Sequence, residues 1–497
     1  MRKKEFVLGI ERVTLDNYGC VSVRDTVVSC RLSGGRWLRN AACLMTIIAV
    51  SATPAFAAPL GSATTAAVDA AIQRVLAEDG TPSASIAVVL NGKLAYAAAY
   101  GYANLSRRIP ATTDTRYQLA SISKTLTATA LLHLEQDGKL SLDAPISRWL
   151  PGVTDADRVT VRELLTHTAG FPDHYPQTYP AGPRARPTTP DAIIAEWGHH
   201  PLLFMPGSKF RYSNLNYVMA GRIAEKAAHK PLFALMKTRI FEPLGMTATI
   251  DLDTVDRNTP DVATGYIRPA LAALQSAPEE GRGWSFGCGQ VVTTASDLAR
   301  WDQAFLAGKL LASKQAQEEI TPARLAGGAT SDYALGLFLS KKGGRTVYYH
   351  IGQGLGFLAI NRIYPTEHAA IIVLTNDSSS SAFAHIADRL EYLVIPPTLQ
   401  DAQARALFLS VQSGKPDRSR FSKDLNAYFD GHMARRYRQS LGSLGPPESF
   451  VLRGTDEADG ITTLFYTVVA GGHHLSVIEQ LLANGKVESF RVQEASR

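Results

Sequence analysis

The chain of 497 residues is 45% hydrophobic and 19% charged, the composition of a globular protein with length for two or more cores, which excludes a single small domain. Its formal charge of +6 is concentrated in the first 57 residues, where eight Lys or Arg stand against four Asp or Glu. The remainder is near neutral, so nothing in the charge points to nucleic acid as a partner.

The first predicted element is an export signal between Arg31 and Ala58. Arg31, Arg36 and Arg39 form a basic region, Ala41 to Val50 an apolar run, and Ala55-Phe56-Ala57 a small-residue cleavage site. Cleavage after Ala57 would release a secreted or periplasmic protein, and the run is too short for a permanent membrane span. The residues before Arg31 read as the product of a start codon assigned too far upstream. Cys20, Cys30 and Cys43 go with residues 1–57, leaving Cys288 in Gly287-Cys288-Gly289 as a small buried residue.

From residue 58 the periodicity predicts a helix carrying Val68, Ile72, Val75 and Leu76 and ending at Gly80. A hairpin follows, Ser85 to Leu90 and Lys93 to Tyr100 across Asn91-Gly92, a pair suited to a type I′ turn. Helical segments come next: Thr125 to Gln136, stopped by Asp137-Gly138; Arg162 to Thr168, stopped by Gly170; and Asn216 to Lys226. The proline-rich stretch Phe171 to Pro190, with Asp173, His174, Tyr175 and Tyr179, reads either as a loop rimming a site or as a solvated loop. Strands are predicted at Thr346 to His350, Phe357 to Tyr364 and Ala369 to Leu374, so the sheet is assembled from both ends of a helical insert. Ala382, Ile386, Leu390 and Leu393 mark a last helix before Pro396-Pro397. Beyond that break, two helical patterns, one ending near Leu441, precede four short β-rich runs from Ser449, which predicts an α+β accessory domain over 398–497.

Three short stretches carry chemistry. Ser121-Ile122-Ser123-Lys124 opens a helix, so a hydroxyl and an amine share its first turn. A serine needs a base to become a nucleophile, and the helix N-terminus favours a developing oxyanion. Tyr212-Ser213-Asn214 stands at the entrance of the next helix, where a core tyrosine with a capping residue is the plain alternative. His350-Ile351-Gly352-Gln353-Gly354 follows a strand, and Gly352 would let a ligand lie against the strand edge. His167 reads as structural, since no second ligand accompanies it at metal spacing. No metal or other cofactor is implied.

Taken in order, Ser-x-x-Lys, Tyr-x-Asn and a basic-residue-x-Gly strand resemble the three motifs of the serine β-lactamase and penicillin-binding superfamily. The likeness is nearest to the class C β-lactamases and their esterase and D-aminopeptidase relatives, and it covers residues 58–397. It implies an α/β fold of the α+β type, an antiparallel sheet flanked by helices with an inserted helical lobe. It also implies Ser121 as nucleophile, Lys124 as its partner and Tyr212 as proton relay, with either Lys124 or Tyr212 as base. Asn214 would hold the acyl side-chain amide, and the amides of Ser121 and Gln353 would form the oxyanion hole. His350 departs from the lysine usual in the β-lactamases. A largely neutral imidazole weakens carboxylate recognition while keeping a hydrogen bond to Tyr212, which shifts the expected substrate from β-lactams towards a small ester, amide or peptide. The expected activity is a carboxylesterase, with a D-amino-acid peptidase or β-lactamase as alternatives within the family. From another class, an acylated or idle sensor module remains. Nothing specifies a partner for the C-terminal domain.

Overall fold

The computed structural model describes residues 60–175, 184–342 and 344–495; the predicted export signal and Tyr179 lie outside them. The first helix, α1 (Ser62–Asp79), buries Val68, Ile72, Val75 and Leu76 and ends on Gly80 in the left-handed region, as the spacing predicted. The hairpin β1 (Ser83–Leu90) and β2 (Lys93–Asn104) turns through Asn91 and Gly92 at φ 51° and 71°, the double positive φ of a type I′ turn. A short β3 (Ile109–Pro110) continues that edge.

The other half of the sheet is β4 (Phe338–Lys342), β5 (Arg345–Gly354), β6 (Phe357–Tyr364) and β7 (Ala369–Thr375). The order is β3-β2-β1-β7-β6-β5-β4, and the two halves join where β1 pairs antiparallel with β7, Ile86 opposite Val373. Both central strands are covered on both faces. Ile86, Val88, Ile371 and Val373 meet α1 and the late helix Ala382–Val394, while Ala87, Val89, Ile372 and Leu374 face the core of the helical lobe. This double burial is why Ile86 to Leu90 and Ala369 to Leu374 are unbroken apolar runs rather than alternations.

In the lobe, α2 (Ser123–Gln136) is buried at every position from Ser123 to Leu134. A helix enclosed on all sides must satisfy its polar groups locally. Thr125 Oγ1 donates to the Gly336 carbonyl at 2.7 Å, and Thr127 Oγ1 to that of Gly287 at 2.8 Å. The second lobe helix that matters to the site is α3 (Asn214–Ala228), packed on α2.

The tail has its own core of Leu407, Phe408, Phe450, Tyr466, Val477 and Phe490. Helices Leu399–Gln412, Lys423–Tyr428 and Gly431–Leu441 precede a four-stranded antiparallel sheet paired in chain order from Ser449 to Glu494. These strands run eight to ten residues, longer than the short runs predicted, and three helices replace the two patterns. The stretch Arg162 to Thr168 is helical only over Val161–Leu165, because His167 takes φ 57° and turns the chain out of the helix. No described helix is long and apolar enough to cross a membrane.

Candidate active site

Ser121 sits in a 3₁₀ turn, Ala120–Ile122, that runs directly into α2. Ala120 holds φ 45°, a left-handed conformation that costs a non-glycine residue on the order of 1 kcal/mol or more. One turn on, Lys124 is completely buried. Its Nζ lies 2.9 Å from Ser121 Oγ, 2.8 Å from Asn214 Oδ1 and 2.9 Å from the Cys288 carbonyl. Three contacts to oxygen match the three N–H donors of an ammonium, which is how a cation is held without water. A neutral amine would keep two of them and turn its lone pair to Ser121.

Tyr212 stands just before α3, with its ring 4.9 Å from Lys124 Nζ. His167 packs on one side of that ring with centroids 4.2 Å apart, and Phe338 lies parallel to it at 6.5 Å. Burial raises the hydroxyl's pKa; Lys124 and Ser121, its neighbours, act in the opposite sense. His167 is itself fully buried. Its Nδ1 lies 3.3 Å from the Ser213 amide nitrogen and from Asn216 Nδ2, so it braces the entrance of α3.

His350 is 2% exposed, and both ring nitrogens are engaged. Nδ1 donates to the Ile351 carbonyl at 2.8 Å, which leaves Nε2 to accept from the Tyr333 hydroxyl at 3.1 Å. The expected bond to Tyr212 is therefore replaced by one to Tyr333. Burial, and then the Lys124 charge, push the imidazole down to about 3, so the third motif presents a neutral ring.

Gly352 does not face the cavity. A Cβ there would come within 2.0 Å of the Leu119 carbonyl, so glycine is needed to let the Ser121 turn pack against β5, not to receive a ligand. Gln353 does line the cavity. β4 pairs with β5 only over residues 345–349, so the strand runs past its neighbour beside the Ser121 turn.

The cavity holds about 270 Å³ and brings Ser121, Tyr212, Asn214, His350 and Gln353 to one place, with Gln118, Tyr175, Ser285 and Phe338 completing the wall. The Asn214 amide is committed at both ends, Oδ1 to Lys124 and Nδ2 to Asp173 Oδ2 at 3.0 Å, rather than free for a substrate amide. Tyr175 stands at the rim of the cavity. Its hydroxyl donates to Glu280 Oε1 at 2.6 Å, and Ser285 Oγ donates to Oε2 at 3.0 Å. The Cys288 thiol is buried and pushed up to about 11; only the carbonyl of that residue touches Lys124. Sequence reasoning singled out Asp173 and Tyr175 with their loop but missed Tyr333, Glu280 and the Cys288 carbonyl, which carry no local pattern. Among the described residues, no group of three or more His, Cys, Asp or Glu is placed to hold a metal ion.

Ser121 and Tyr212 on one cavity, with the buried Lys124 amine against Ser121 and a sheet assembled from both ends of the chain, fit a serine hydrolase. The chain belongs to the beta-lactamase family, whose model matches residues 68–394. It is 29% identical over 310 residues to penicillin-binding protein 4* of Bacillus subtilis, covering 59% of this chain and 67% of that one. Among solved structures it is similar to the D-amino acid amidase of Ochrobactrum anthropi SV3 complexed with L-phenylalanine amide, with a TM-score of 0.59 and 28% identity over 67% of this chain and 98% of the other. A D-stereospecific amidohydrolase from Streptomyces gives a TM-score of 0.57 and 27% identity, over 66% and 98% of the two chains.

Proposed function

We propose that the chain hydrolyses carboxylic esters through an acyl-enzyme on Ser121. The reading rests on the buried Lys124 amine held 2.9 Å from Ser121 Oγ by Asn214 and the Cys288 carbonyl. Ser121 Oγ attacks the acyl carbon, and its proton passes to the Lys124–Tyr212 pair. The backbone amides of Ser121 and Gln353 hold the oxyanion. The tetrahedral adduct collapses, the ester C–O bond breaks, and the leaving alkoxide takes a proton from the Tyr212 hydroxyl. Water then attacks the acyl-enzyme and gives a proton to the pair, which passes it to Ser121 Oγ as the acyl C–O bond breaks, freeing the acid and the serine.

Substrate class follows from charge. A neutral His350 offers no fixed cation to a drug carboxylate, so neutral acyl donors are favoured over cephalosporins. A second reading, D-amino-acid amides or short D-peptides, is favoured by the amidase structures this fold is similar to. The C-terminal residues 398–497 would form an accessory domain, and the Arg31 to Ala58 segment would export the protein with cleavage after Ala57.

The test is a turnover panel on the chain from residue 58: p-nitrophenyl butyrate, a D-alanyl peptide and a chromogenic cephalosporin, each with wild type and Ser121→Ala. Ester turnover lost by orders of magnitude in Ser121→Ala, together with fluorophosphonate labelling, is the expected result. A single acylation without release would mean a sensor module, and preferred turnover of the peptide would favour the second reading.

A further inference from the structure

We propose that Asp173 is a positioning residue that decides which end of the Asn214 amide faces Lys124; this rests on the hydrolase reading above. An asparagine side chain can present either an acceptor or a donor at almost the same place, and a half-turn exchanges them. At Lys124 only one choice works. The ammonium has nothing but donors, and a neutral amine would aim its single lone pair at Ser121, so the 2.8 Å contact requires Oδ1.

The restraint comes from the other end. Asn214 Nδ2 donates to Asp173 Oδ2 at 3.0 Å. A carboxylate only accepts, so the flipped amide would set oxygen against oxygen at Asp173 and N–H against N–H at Lys124, losing both bonds at once. Asp173 is fixed in its turn. Its Oδ1 accepts from the Asn214 backbone amide at 2.9 Å and from that of Tyr175 at 3.1 Å. The result is a chain of contacts from the rim loop through Asp173, Asn214 and Lys124 to Ser121.

The plain alternative is that Asp173 merely caps α3, the 15-residue helix that starts at Asn214. A cap would affect stability and leave the geometry of Lys124 alone. The two roles separate in a double-mutant cycle, because a residue acting through Asn214 has nothing to act on once Asn214 is gone.

The experiment measures kcat/KM on p-nitrophenyl butyrate, the second-order rate of fluorophosphonate labelling, and thermal melts for wild type, Asp173→Asn, Asp173→Glu, Asn214→Ala and Asp173→Asn/Asn214→Ala. Asp173 is about a quarter exposed and asparagine is isosteric, so folded protein is expected. Asp173→Asn should lower both rates roughly tenfold to a hundredfold at a temperature where the melt shows it folded. Asp173→Glu, which keeps the charge but moves the oxygens by one methylene, should fall with it. In the Asn214→Ala background the Asp173→Asn effect should shrink to less than about threefold. Rates within twofold of wild type in Asp173→Asn, full activity in Asp173→Glu, or effects that multiply in the double variant would each overturn the proposal. A wild type that neither labels nor turns over would instead remove the hydrolase reading beneath it.

Discussion

At the scale of single residues the site is organised by burial, and burial fixes charge states that exposed side chains would not keep. His350 is the clearest case, because a ring pushed down to about 3 stays neutral across the whole working range. His350→Lys should restore a cation where the β-lactamases carry one. The new charge enters a buried place already under the field of Lys124, so ester turnover should drop, yet the cephalosporin-to-ester ratio of kcat/KM should rise roughly tenfold to a hundredfold. An unchanged ratio would place the choice of substrate elsewhere, first in the Tyr175–Glu280–Ser285 wall. Burial acts in the opposite sense on Asp302, whose carboxyl is pushed up to about 8 while Oδ1 accepts from Asn361 Nδ2 at 2.7 Å. Its folded pKa lies above its unfolded value. The stability linked to its proton is therefore complete below about pH 4 and is lost as pH rises through 8. Glu319, also pushed up to about 8 and bonded to Thr129, behaves alike. Glu479, pushed up to about 7, adds to the effect, so melting temperature should fall between pH 6.5 and 8.5, and Asp302→Asn should remove roughly a third of that fall. Equal falls in both proteins would mean that Asp302 is ionised in the fold.

Among the elements, β5 carries the most constraint, because one strand both pairs with β4 and β6 and packs against the Ser121 turn. Its inner face meets the Ser121 turn at Gly352 with no room for a methyl group. Gly352→Ala should therefore displace the Leu119 carbonyl, destabilise the protein by about 1–3 kcal/mol and lower kcat/KM by more than that loss of stability explains. A melt near that of wild type with full turnover would show that the two segments separate easily. Gly352 also marks where the sequence stopped being legible. Its position in the third motif was plain, but its reason was not, since the group it accommodates comes from a turn more than two hundred residues earlier in the chain. Chain separation also hid the Cys288 carbonyl, 164 residues away, as a partner of Lys124, while Tyr333, only 17 residues before His350, was hidden by the absence of any local pattern. What could be read locally was read well: α1 from its apolar spacing, the β1–β2 turn from Asn91-Gly92, and the contact between Ser121 and Lys124 from their separation. Strand β4, Phe338–Lys342, escaped because two lysines and a serine interrupt its apolar pattern.

For the whole molecule the open question is how the C-terminal helices and strands are held to the main sheet, and buried charge is again the agent. Asp388, on the helix Ala382–Val394, is 5% exposed and lies between Arg362 of β6, at 2.9 Å, and Arg453 of the first tail strand. A second bridge runs beside it, where Glu448 of the tail meets Arg389 at 3.1 Å and Arg74 of α1 at 2.8 Å. Burial alone would raise the Asp388 carboxyl, but Arg362 and then Arg453 outweigh it and hold it below the usual carboxylate range. A depressed folded pKa means that the linked stability is present above about pH 4 and is lost as pH falls through the folded value. Asp388→Asn should therefore be costly at neutral pH, about 1–3 kcal/mol, because Arg453 loses its carboxylate and Arg362 keeps only Glu391, at 2.9 Å. Arg453→Met should cost less, since Asp388 keeps Arg362. The two changes also differ in kind. Losing Asp388 weakens the sheet side and the tail side together, so a single unfolding transition in the wild type should split, with the tail melting first, and the acid limb of stability should flatten. Calorimetry from pH 3.5 to 7.5 on the three proteins checks this. If Asp388→Asn unfolds in one transition at the wild-type midpoint, the ion pairs do not bind the tail to the sheet, and that task falls to the apolar contacts that pack Tyr392 against the tail core.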